Sequence, residues 1–162
     1  MTRKRRIREL AMQVLFLWDI NHQRDDAMSR QVLADAAADD ELRHSAAGMA
    51  QAAWDQRESA DRWVQRVAPQ WPTHRQPTVD RNLLRLAVWE LTNTPTPPKV
   101  VLDEAIELAK AFSTQQSAAF VNGVLDAILK EHKATAADPA LNDKINGSQV
   151  SAPDVHGPEP SF

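Results

Sequence analysis

The 162-residue chain contains no cysteine, and that one absence removes several chemistries together. It leaves no disulfide framework, no zinc ribbon and no thiol nucleophile, and it fits a reducing compartment such as the cytoplasm. Glycine is nearly as scarce, with residues only at 48, 123, 147 and 157. The glycine-rich loops that cradle phosphates, both Walker and dinucleotide types, are therefore absent. Nowhere does the sequence approach the roughly 18 consecutive apolar residues that a membrane-spanning helix needs. The run 12–18 behind the first basic residues is short, broken by Gln13 and closed by Asp19. No small-residue cleavage site follows, so a signal peptide is not expected and the chain reads as soluble.

Proline is missing from residues 1–68, then appears six times between 69 and 98 and four times from 139 onward. Because proline lacks an amide donor and clashes inside helices, the free tracts are open to helix and the clusters mark connections. Ile7, Leu10, Ala11, Val14, Leu15 and Trp18 follow helical spacing as one apolar stripe. Asp25 and Asp26 read as a loop, with Ser29 capping a short helix through Val32, Leu33 and Ala36. The acids 39–41 suit a helix start, and the stripe from Leu42 to Trp54, joined by Trp63, Val64 and Val67, predicts one long helix or two broken near Ser59. Thr78 is expected to cap a helix with Leu83, Leu84, Ala87, Val88 and Leu91 inward. After 94–98 (TPTPP), a helix from about Lys99 buries Val101, Ala105, Leu108 and Phe112. Ser117 then caps a last helix carrying Phe120, Val121, Val124, Leu125, Ile128 and Leu129. Period-two alternation of useful length is absent. The expected class is all-α.

The 43% hydrophobic content supports a real core through residue 133. From 134 to 162 the chain is rich in Asp, Pro, Asn, Ser and Gly and nearly without aromatics. It buries too little to offset its ordering entropy and reads as a disordered acidic tail.

The formal net charge of −3 argues, at face value, against a nucleic-acid partner. It is unevenly spread. Residues 1–8 carry five basic groups and no acid, residues 9–133 carry 13 basic and 18 acidic groups, and residues 134–162 one basic and four acidic groups. A basic head on an acidic body points to an anionic partner at one end.

Catalytic signals are weak. The histidines at 22, 44, 74, 132 and 156 never pair at metal-ligand spacing, and a surface role is expected for each. There is no GxSxG elbow. Asp103, Glu104 and Glu107 form the densest carboxylate group, but without convergent ligands they read as a solvated face or a protein contact rather than a catalytic pair. No metal and no cofactor is expected. The five tryptophans fall on helical stripes or helix ends, where core packing is the expected role. Gly123, inside a good helical pattern, costs about 1 kcal/mol relative to alanine. A close approach of another backbone would explain it, with Asn122 beside it facing a partner or RNA.

The strongest local signal is Arg3, Lys4, Arg5, Arg6 and Arg8, an arm at residues 1–8 leading into the first helix. Guanidinium matches phosphate bidentately and is always charged, and arginine-rich segments commonly bind RNA and order on contact. A solvated terminus and a membrane surface stay open beside that reading.

Four blocks complete the picture: RRIRELAMQVLFLWD (5–19), VDRNLLRLAVWEL (79–91), DEAIELAKAF (103–112) and FVNGVLDAIL (120–129). In this order and spacing they resemble the NusB transcription antitermination family, over about residues 3–131. The resemblance implies a compact all-helical domain (9–133) of about seven helices in two packed three-helix subdomains, acting without catalysis. It implies binding to a box A-like element of single-stranded nascent ribosomal RNA, with a small-subunit ribosomal protein as partner in the transcription elongation complex. It also admits a homodimer. On this resemblance Arg3, Lys4, Arg5, Arg6, Arg8, Phe120 and Asn122 would contact RNA, and Phe16, Asp80, Glu104 and Glu107 the ribosomal protein. An acidic body suits a basic ribosomal protein. Where the family often has an acid and a lysine before FVNG, this chain has Gln116 and Ala119, which puts any contact made by those charges in doubt. The alternatives are a NusB-like RNA-binding domain fragment of an rRNA cytosine methyltransferase, whose catalytic cysteine would lie in a further domain since this sequence has none, and a protein-only helical adaptor.

Overall fold

A computed structural model describes residues 2–137. They form seven α-helices: α1 (Arg3–Ile20), α2 (Asp26–Asp35), α3 (Asp40–Asp55), α4 (Arg57–Val67), α5 (Thr78–Asn93), α6 (Pro98–Phe112) and α7 (Gln115–Ala137), with one 3-10 turn at Thr73–Arg75. No strand occurs among the described residues. The all-α reading holds.

The boundaries follow local chemistry, and several differ from the sequence reading. The basic head is not an arm before a helix: α1 begins at Arg3, with the Thr2 side chain accepting from the Arg5 amide. Helix α2 is capped by Asp25, not Ser29; Ser29 lies inside it, its hydroxyl donating to the Asp26 carbonyl. Asp39 caps α3 by accepting from the Leu42 amide at 2.8 Å. The break between α3 and α4 falls at Gln56, three residues before Ser59. Thr78 is the first residue of α5, behind Pro77, and makes no side-chain cap. In α6 Pro98 takes the first helical position, where its missing amide costs nothing. Thr114, not Ser117, caps α7, accepting from the Ser117 amide at 3.0 Å. Helix α7 also continues through Ala137, four residues into the segment read as tail, over alanines whose helix propensity is the highest of any residue. The remainder of that tail, 138–162, lies outside the described residues.

Helix α1 ends in a Schellman motif. The His22 and Gln23 amides donate back to the Asp19 and Trp18 carbonyls, and His22 takes the left-handed conformation, φ 56°, that glycine usually fills.

All seven helices feed one continuous apolar core, from Leu10, Val14, Leu15 and Trp18 of α1 through Leu83, Leu84 and Val88 of α5 to Val121, Leu125 and Ile128 of α7. Helix α1 packs chiefly on α3 and α5, and α5 also packs on α4 and α6. The tryptophans behave as expected: Trp18 and Trp54 are buried edge to face, and Trp63, Trp71 and Trp89 are half-buried.

Polar groups also enter the interior, several of them in a network that joins α1, α4 and α5. Asp19 of α1 accepts from Arg81 at 2.8 Å and Asn82 at 2.9 Å, and pairs with Arg85, whose guanidinium also grips Asp61 of α4 through two bonds of 2.9 and 2.8 Å. Burial pushes the Asp19 carboxyl up, but hydrogen bonds from Arg81 and Asn82 and the nearby guanidinium charges outweigh it and hold it below its ordinary value. Paired in this way, the charges link α1, α4 and α5.

Candidate nucleic-acid interface

Helix geometry spreads the five basic residues of the head around α1 instead of keeping them together. Arg3 and Lys4 stand exposed, Arg5 and Arg6 are half-buried, and Arg8 is only 6% exposed. Four of the five are already engaged. Arg3 forks onto Asp39 at 2.7 and 3.0 Å and lies 3.4 Å from Glu41. Its bidentate bond, with the Leu42 amide, holds the Asp39 carboxyl down at about 2. Arg5 forks onto Glu104 of α6 at 2.8 and 3.1 Å. That hydrogen bond raises the guanidinium and lowers the carboxyl from their ordinary values. Arg6 pairs with Glu9 at 3.1 Å, one turn along α1. Lys4 has no ion pair among the described residues.

Arg8 corrects the sequence reading. Its guanidinium points inward and makes three contacts of 3.2, 3.0 and 2.6 Å with Glu90 of α5, itself 3% exposed. No phosphate reaches it without breaking a buried ion pair. Residues i and i+3 or i+4 on a helix share a face, so Arg8 follows Ala11 and Leu15 inward, whereas Arg3 and Lys4, in the first turn of α1, are exposed.

In the FVNG block, Phe120 is half-buried with its ring edge to face against Trp71, at 77°. Asn122 is exposed. The expected close backbone approach at Gly123 is not found within the chain: a Cβ there would meet nothing within 4 Å, and the position is exposed. The glycine leaves open surface one turn from Phe120.

The four residues assigned to a protein partner divide. Phe16 is half-exposed and lines a groove of about 200 Å³ with Met12, Gln13, Val79 and Phe112. Phe112, expected inside, is 39% exposed there. Glu107 is exposed, 3.6 Å from Lys110. Glu104 is occupied by Arg5. Asp80 is fully buried, with 0% exposure, and accepts from the Ser117 hydroxyl at 2.8 Å, so it cannot touch a partner. As an acid in the first turn of α5 it joins that helix to the start of α7 instead. The remaining groove residues were missed because an apolar residue at helical spacing reads as core until neighbouring helices fail to cover it. His22, His44 and His74 are exposed as expected, His132 is half-buried, and His156 lies outside the described residues.

No described helix is long and apolar enough to cross a membrane. The NusB family model matches residues 5–130. Among curated proteins, the transcription antitermination protein NusB of Solibacter usitatus is 40% identical over 144 residues, covering 86% of this chain and 97% of that protein. Among solved structures, the NusB of T. maritima superposes with a TM-score of 0.72 at 34% identity, over 81% of this chain and 92% of that one. A crystal structure of the antitermination factors NusB and NusE in complex with dsRNA matches at 0.71 and 26% identity, over 81% and 98%. With four ordered sequence blocks, seven helices and a match over most of its length, the chain belongs to the NusB family.

Proposed function

We propose that this protein is a transcription antitermination factor that works by binding rather than by catalysis. The start of α1 holds the phosphates of a box A-like single-stranded RNA, and the Phe16 groove receives a small-subunit ribosomal protein. The same reading has it acting in the cytoplasm on a transcription elongation complex. The observation that carries it is the exposed or half-exposed set Arg3, Lys4, Arg5 and Arg6 on the first turn of α1. The likeness to a NusB that was solved with NusE and RNA supports it. Phe16 is the anchor proposed for the protein partner, since binding energy concentrates on a few side chains, aromatics prominent among them, that a partner fully desolvates.

The test is binding of a box A-like oligonucleotide, single-stranded and as a duplex, with and without the ribosomal protein, across a salt series. Four cations on one strand set an upper limit of about −2.8 for the slope of log K against log salt. Replacing Arg3, Lys4, Arg5 and Arg6 by alanine should flatten it; a flat response in the unaltered protein would refute the site. Phe16→Ala should weaken the ribosomal protein by about 2 kcal/mol, near thirtyfold, and leave RNA binding alone unchanged.

A further inference from the structure

Asp80 is an expensive residue to bury. Its side chain is wholly enclosed, yet it has no ion pair among the described residues, whereas Asp19 is held by arginines and Glu90 by Arg8. One carboxylate oxygen accepts from the Ser117 hydroxyl at 2.8 Å, and the other has no hydrogen-bond partner among the described residues. A buried carboxylate held by one hydroxyl is a poor device for stability, since an apolar side chain of similar size carries no desolvation penalty. What the arrangement supplies is a joint.

Three helix ends meet at that bond. Asp80 lies in the first turn of α5. Ser117 lies in the first turn of α7, where its amide donates to the Thr114 hydroxyl oxygen at 3.0 Å and its own oxygen accepts from Thr114 at 3.1 Å. Thr114 follows the end of α6 at Phe112 by two residues. On one side of the joint, Val79 and Phe112 line the Phe16 groove. On the other, Phe120 and Asn122 come three and five residues after Ser117 along α7. Breaking the bond leaves a buried carboxylate without any partner, so the starts of α5 and α7 are held to move together. The turn beyond it cannot absorb the movement: Ala118 and Val121, on either side of Phe120, are packed in the core, and close-packed interiors transmit strain.

We propose that Asp80 is a positioning residue: through Ser117 it couples the Phe16 groove to the Phe120–Asn122 turn, so that a protein seated in the groove alters the hold of this turn on RNA. The coupling rests on the RNA and protein sites proposed above, with Phe120 and Asn122 placed at the RNA by the family resemblance.

The experiment measures binding of a box A-like single strand to the full chain, alone and with saturating ribosomal protein. In the unaltered protein the partner should tighten RNA binding about tenfold. In Asp80→Ala and in Ser117→Ala that gain should fall to about twofold, with RNA affinity in the absence of the partner changed by less than about threefold. Asp80→Asn keeps an acceptor for the Ser117 hydroxyl and should retain the gain. Leu33→Ala truncates the core on α2, which lines neither site, and should lower the melting temperature while leaving the gain whole. Circular dichroism fixes a working temperature at which each variant is folded; should Asp80→Ala not fold, Ser117→Ala against Asp80→Asn decides. A gain preserved in Ser117→Ala, or lost equally in Leu33→Ala, would overturn the proposal, as would the absence of any gain in the unaltered protein. None of these results touches the RNA-binding reading itself, which falls instead if alanine at Arg3, Lys4, Arg5 and Arg6 leaves the strand bound as before.

Discussion

Arg8 offers the sharpest test, because two roles for it predict opposite results. As an RNA contact its loss would weaken binding and leave the fold intact; as a buried partner of Glu90 its loss would damage the fold. The pair is 6% and 3% exposed, with a closest approach of 2.6 Å. For charge centres about 4 Å apart at an effective dielectric of about 20, the attraction is about 4 kcal/mol. Desolvation of both ions offsets much of it, so the net worth of the intact pair is small. Removing one partner is different: it strands the other charge, at a cost of about 3–5 kcal/mol. Arg8→Met and Glu90→Leu should each therefore lower the urea midpoint markedly, or prevent folding. The double variant Arg8→Met/Glu90→Leu should recover most of the loss and finish within about 1 kcal/mol of the unaltered protein, as apolar replacements of buried pairs do. Urea unfolding followed by circular dichroism measures all four corners of the cycle. The decisive readout is RNA: the refolded double variant should keep its affinity and its salt slope. A stable double variant whose slope is shallower by about 0.7 would place Arg8 on a phosphate and refute the reasoning.

Three further outcomes follow from the same ion pairs and helix ends. Glu104→Gln frees the Arg5 fork from its carboxylate, and since part-exposed pairs contribute about 0.2–1 kcal/mol, RNA affinity should rise by up to about fivefold in a filter-binding or fluorescence assay; a fall would show that Glu104 orients Arg5 for the phosphate. Asp39, held at about 2 by Arg3 and the Leu42 amide, has a depressed folded-state value, so its contribution is complete above the unfolded value near 3.9 and fades as pH falls towards 2. Asp39→Asn should lose that pH dependence, which a carboxyl-detected NMR titration and acid-melting curves will show together. Gly123→Ala meets no atom within 4 Å and should stabilise α7 by about 0.4–1 kcal/mol in thermal unfolding; a loss of stability would reveal a crowding that the structure does not contain.

Much of the fold was legible because periodicity survives averaging. The stripe from Ile7 to Trp18 and the proline-marked connections place α1, α5, α6 and α7 closely, since each carries apolar residues at helical spacing and no proline beyond its first position. The errors fall at helix ends, where single hydrogen bonds decide. Asp25 caps α2 in place of Ser29, and Thr114 caps α7 in place of Ser117, because whichever oxygen reaches the third amide wins. No residue count distinguishes these cases.

The candidate site was legible in kind but not in detail, for a reason of charge pairing. Composition registers five cations at the head, whereas the folded chain pairs Arg3, Arg5, Arg6 and Arg8 with carboxylates drawn from α1, α3, α5 and α6. Glu90 and Glu104 lie 82 and 99 residues away from their arginines, too far for any local pattern to reveal. The same pairing changes what RNA binding would mean for this surface. A phosphate arriving at Arg3 or Arg5 does not meet a bare cation; it exchanges places with a carboxylate that returns to water. The gain per contact is then the difference between two anions on one guanidinium, which favours several simultaneous contacts over one strong one. Lys4, which has no ion pair among the described residues, involves no such exchange. Affinity should accordingly depend on it more than its single charge suggests.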